Sequence, residues 1–276
     1  MIRRALLSLI AFLGTGAAGA APTPGMLVRE SAETLYRYAG LERQIPLLGD
    51  QIAQQLQSES SAIQAALRER MAVAARQTFD AQRMKIEILA DLRTKWDPTL
   101  AGEALKWLRS PVGRQVIQME EAASTPESQR ALESFAASFA STPPALKRVE
   151  GVRRLDQATR ATEISVEILS TMARAIARGA AAAHPGPASP ADVESAIAAQ
   201  HPAMLRAAEI YTLTALLYTY RDLSPQHFAE YLAFFDSPAG RWYSQTVGDA
   251  YQRSMENASE RFAAEVVGIM PSEQPR

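Results

Sequence analysis

A chain of 276 residues, 47% hydrophobic and 21% charged, can bury one large core or two smaller ones. It has no cysteine, which excludes disulfides, thiol catalysis, thiolate-bound zinc, iron–sulfur clusters and a lipid anchor on an N-terminal cysteine. Its formal charge of −1 gives no global field that would recruit nucleic acid or an anionic membrane surface.

Residues 1–20 have the layout of a secretory signal. Arg3 and Arg4 form a basic start, Ala5 to Leu13 an apolar run, and Ala18-Gly19-Ala20 a small-x-small cleavage site. The apolar run is about half of the roughly 20 residues that a membrane-spanning helix needs. The expectation is cleavage, a flexible mature N-terminus at 21–27 and a soluble periplasmic protein without stable membrane insertion. Release into the medium is the lesser alternative.

Further along, capping residues stand directly before prolines at Asp97-Pro98, Ser110-Pro111, Thr125-Pro126, Ser189-Pro190, Ser224-Pro225 and Ser237-Pro238. A Ser, Thr or Asp oxygen accepts from an orphan N–H at a helix start, and proline at the first helical position has no N–H to leave unpaired. Apolar spacing agrees: Leu155, Thr159, Thr162, Val166, Leu169, Ala173 and Ile176 form one helical stripe, and Phe228, Leu232 and Phe235 a shorter one. The predicted helices are 28–39, 41–57, 60–94, 98–109, 111–124, 126–141, 145–179, 190–221, 225–236 and 238–268, which makes the fold all-α. His201-Pro202 is expected to bend or split the helix over 190–221. Gly179 to Ser189 reads as a loop, and 271–276 as a flexible tail.

A shift of 127 residues lays Trp96–Arg114 over Leu223–Arg241 with seven identities in 19 positions. They are Pro98/Pro225, Glu103/Glu230, Leu105/Leu232, Ser110/Ser237, Pro111/Pro238, Gly113/Gly240 and Arg114/Arg241. Trp107/Phe234 and Leu108/Phe235 keep their apolar character. The expectation is an internal duplication, with helical units at 28–143 and 145–270 forming two pseudo-repeated antiparallel bundles packed together. The shared Ser-Pro-x-Gly-Arg describes a stiff corner. Ser110 and Ser237 cap the next helix, Pro111 and Pro238 open it, and Gly113 and Gly240 make room for the preceding helix. Arg114 and Arg241 reach back to carbonyls or to Glu103 and Glu230. A ligand site at the corner's helix N-terminus is the alternative.

The chain also resembles a family. Tyr38-Ala39-Gly40-Leu41-Glu42, a Leu- and Gln-rich helix, and later LAFFDSPAGR at 232–241 are similar to exported bacterial proteins of the DUF family numbered two thousand and fifty-nine. The family's hallmark is an apolar helix carrying an aromatic before Ser-Pro-x-Gly-(Arg/Lys), after a signal peptide. The first copy, EALKWLRSPVGR at 103–114, departs from it with Trp107 for the usual Phe. The resemblance implies an all-helical fold and a periplasmic address. No activity is established for that family, so no catalytic residue carries over.

Chemistry-bearing motifs are scarce. His184, His201 and His227 lack ligand spacing, and only His227 with Glu230 could share a metal, which needs three or four ligands. G-x-S-x-G, Walker A and G-x-G-x-x-G are absent. No catalytic residue, metal ligand or cofactor is assigned. Six of the eight tyrosines fall between Tyr211 and Tyr251, beside Phe228, Phe234, Phe235 and Trp242. The candidate ligand or partner surface is therefore Tyr231, Phe234, Arg241, Trp242 and Glu230, with Glu103, Trp107 and Arg114 of the first copy. The leading expectation is a non-enzymatic periplasmic protein acting through contacts with an envelope protein, in envelope maintenance or stress tolerance. One alternative is a carrier of an apolar ligand or lipid between the two units. The other is a hydrolase using Glu103 or Glu230. Assembly with further copies of the chain stays open, and nucleic acid is not an expected partner.

Overall fold

The computed structural model describes residues 24–58, 65–183 and 190–269, and among them the chain forms twelve α-helices and no strand. These are α1 (Pro24–Tyr38), α2 (Leu41–Ser58), α3 (Ala65–Thr78), α4 (Ala81–Thr94), α5 (Pro98–Leu108) and α6 (Pro111–Ala123). The second half holds α7 (Pro126–Ser138), α8 (Leu146–Thr159), α9 (Ala161–Ala183), α10 (Pro190–Thr219), α11 (Pro225–Asp236) and α12 (Pro238–Ile269). The signal segment 1–20, His184 with its Pro/Gly loop to Ser189, and the tail 271–276 lie outside the described residues.

The all-α expectation holds, and its boundaries change for local reasons. Pro24 to Met26, expected to be flexible, are the first turn of α1. The single helix expected over 60–94 is two, because the Asp80 carboxylate accepts from Arg83 N–H at 2.8 Å and caps a new start. The long stripe from Leu155 is likewise broken: Arg160 takes a left-handed φ of 55°, and α9 begins after it. Asp156 holds that turn by accepting from Thr162 N at 2.9 Å and Thr162 Oγ1 at 2.8 Å. α10 runs through Pro202 without splitting. Gly179 to Ala183, expected in a loop, end α9, as the high helix propensity of alanine favours.

Two main cores result. In one, α1–α4 enclose Leu35, Ile45, Met84, Ile88 and Leu92 against Met255 and Phe262 of α12. In the other, Val116, Leu155, Tyr220, Leu223 and Phe235 gather from α6, α8, α11 and the turn after α10. Neither core is confined to one sequence half. α12 is 32 residues long and packs on α3, α4, α5, α8, α9 and α11, so it threads both.

Candidate functional site

The two Ser-Pro-x-Gly-Arg segments form corners with the same bonds. Ser110 Oγ accepts from Gly113 N at 3.0 Å, and Ser237 Oγ accepts from Gly240 N at 3.0 Å. Arg114 Nη1 donates to Arg109 O at 2.5 Å, and Arg241 Nη1 donates to Asp236 O. The arginines therefore satisfy carbonyls at the end of the preceding helix, not Glu103 or Glu230. A Cβ on Gly113 would sit 2.8 Å from Leu108 O, and one on Gly240 2.8 Å from Phe235 Cα. Only glycine fits that close passage.

Each corner reaches the other. Gln115 Oε1 of α6 lies 2.7 Å from His227 Nδ1 at the start of α11. Trp242, which the 127-residue shift sets over Gln115, donates from Nε1 to Lys95 O before α5 at 3.2 Å. Trp107 of α5 and Phe234 of α11, also in register under that shift, stack with centroids 4.2 Å apart and planes 9° apart. Tyr231 covers the Trp107 ring at 5.5 Å and 14°. Trp107 is thus held parallel to two aromatic rings.

Behind this stack lies a cavity of about 140 Å³ between the two cores. Its wall is mostly apolar and aromatic, including Trp107, Tyr231, Phe234, Phe235 and Tyr243. It holds a single carboxyl, that of Glu120 from α6, and among the described residues no Lys, Arg or His lines it. Tyr220 Oη donates to Glu120 Oε1 at 2.6 Å and Tyr231 Oη to the same oxygen at 3.0 Å. Among the described residues nothing donates to Oε2. Burial raises the Glu120 carboxyl from 4.5 to about 7, against the lowering effect of the two tyrosine hydroxyls. Burial and the Glu120 charge together push the Tyr220 and Tyr231 hydroxyls well above 10, so they remain neutral donors. Val247, in register with Glu120, also lines the cavity, so the two related walls differ in one being acidic.

Of the residues singled out from the sequence, Trp107, Tyr231 and Phe234 meet on this wall. Trp242 lies beside it, edge-on to Trp96 with centroids 5.8 Å apart. Arg114 and Arg241 are exposed and serve the corners. Glu103 and Glu230 are exposed on α5 and α11, and Glu230 accepts from Gln226 Nε2 at 3.2 Å. The sequence reading missed Glu120, Tyr220 and Tyr243. The signal for Glu120 was its register: Gly113, Val116, Ile117 and Glu120 share one helical face, and the first three are buried.

Among the described residues no group of three or more His, Asp or Glu could hold a metal ion. No helix among them is long and apolar enough to cross a membrane. The fold and site thus define an all-α protein with an internal aromatic cavity and one carboxyl in its wall. Compared with known proteins, the chain matches no family model, no curated protein and no solved structure.

Proposed function

We propose that this chain is an exported binding protein that holds a small apolar ligand in the cavity between its two cores. The observation that carries the reading is that cavity, about 140 Å³ of aromatic-walled space with one carboxyl facing it. Ligand pockets have this makeup: apolar walls for affinity and a few placed polar groups for orientation. Cavities of similar size lined by apolar side chains stay dry and take up a molecule such as benzene. The stiff corners keep the opposing aromatic rings in place without a ligand, which lowers the ordering cost of binding.

The address follows from residues 1–20 and from the resemblance to exported proteins, and export to the periplasm is part of the proposal. So is descent of the two corners from one duplicated unit, supported by their matching cap bonds. Native mass spectrometry of gently purified protein tests the reading. A bound small molecule released on unfolding is expected, and consistently empty protein that takes up no apolar probe refutes it.

Action through protein contacts is a second reading. The aromatic residues offered for a partner surface, Tyr231 and Phe234, are buried. What favours contacts instead is Leu146 and Ile210, which stand 80% and 70% exposed. Crosslinking in cells should then capture one envelope partner reproducibly, and lose it in Ile210→Ser with Leu146→Ser.

A further inference from the structure

We infer that the ligand of this cavity is a small organic cation: a body the size of one ring carrying an ammonium group that pairs with Glu120 Oε2. This rests on the ligand-binding reading and specifies its chemistry. Three features of the wall converge on it.

The first is an incomplete partner set. A buried carboxylate needs compensating charge and hydrogen bonds. Here Tyr220 and Tyr231 both serve Oε1, and no cationic side chain among the described residues lines the cavity. The missing partner for Oε2 is a donor that carries positive charge. The second is the ring stack. The Tyr231 ring lies parallel to that of Trp107 in the wall, and its hydroxyl is the one bound to Glu120. An ammonium group at Oε2 therefore lies beside aromatic faces, which attract cations within about 6 Å of a ring centroid. The third is asymmetry. Val247 leaves the wall in register with Glu120 apolar, so the ligand's body and its charge have separate places.

Other ligand classes fit less well. An anion meets a carboxylate and no base. A pure hydrocarbon fills the space and leaves Oε2 unpaired. A neutral alcohol gives one hydrogen bond without the charge. An ammonium ion supplies both, and on arrival it draws the carboxyl back towards its ordinary ionisation range.

The test uses the full chain and three probes of nearly one shape: benzylamine, benzyl alcohol and toluene. Titration calorimetry at pH 8 should give benzylamine at least tenfold tighter than benzyl alcohol. Glu120→Gln should abolish that preference while retaining toluene, which also reports that the variant folds with its cavity intact. Carbon-13 NMR of the Glu120 carboxyl in the unsubstituted chain provides a readout independent of variants, and saturating benzylamine should lower its titration midpoint. Benzyl alcohol or toluene binding as tightly as benzylamine, a preference that survives Glu120→Gln, or an unmoved midpoint each overturns the cation assignment and leaves the apolar-ligand reading in place. Failure of all three probes to bind overturns both.

Discussion

Substituting Glu120 by Gln should stabilise the ligand-free protein above neutral pH and leave it nearly unchanged in acid. The carboxyl is raised from 4.5 to about 7, first by burial. A raised acid means that the folded state holds its proton where the unfolded chain has released it. Stability from this group is therefore present below 4.5 and is lost as pH rises through about 7. A tenfold change in proton affinity is worth about 1.36 kcal/mol, so the loss comes to about 3 kcal/mol at most, and water entering the cavity reduces it. Gln keeps the shape, accepts from Tyr220 and Tyr231 through its carbonyl, and has no charge to bury. Urea unfolding at pH 5 and pH 8 gives the difference between the two chains at each pH, in which the other titrating groups cancel. Glu120→Gln should gain about 1–3 kcal/mol relative to the parent on going from pH 5 to pH 8. Parallel stability curves across that range would refute burial as the cause of the raised carboxyl.

The corners and turns give further expectations. Gly240→Ala drives a Cβ into the backbone of Phe234 and Phe235 and should cost about 2–4 kcal/mol, whereas Gly102→Ala, with open space around it, should gain about 0.5–1 kcal/mol; thermal melts order the two. Ser110→Ala and Ser237→Ala each remove one cap bond and should each cost about 1 kcal/mol, with the double variant additive in chemical denaturation. Phe262→Ala, at 0% exposure where α12 meets α3 and α4, should cost about 3–5 kcal/mol in the same assay.

The parts legible in the sequence were those governed by neighbours in the chain. Ser110 and Ser237 stand beside prolines, and capping within three residues needs no tertiary information. The break at Asp80 lacked the proline that marks the other starts, and the apolar spacing of Met84 and Ile88 reads straight through it. Arg160 was invisible for a related reason: a left-handed turn is expected of glycine, and this one is held instead by Asp156. The site divided in the same way. Trp107 and Phe234 stood out through the repeat, but their stacking depends on how distant helices meet. Glu120 reads as one more surface acid until Tyr220 and Tyr231, 100 and 111 residues away, close over it.

The path of α12 has a consequence for how the molecule assembles. Ser254 donates to Glu87 across 167 residues of chain, and Arg261 pairs with the same carboxylate across 174. The first four helices therefore have their core closed by the last segment to be synthesised. No early fragment carries its own lid, and contacts between residues so far apart in the chain slow folding. A chain built this way stays open along its full length until its end is available. That order suits a polypeptide which must be threaded through a pore before it takes its shape.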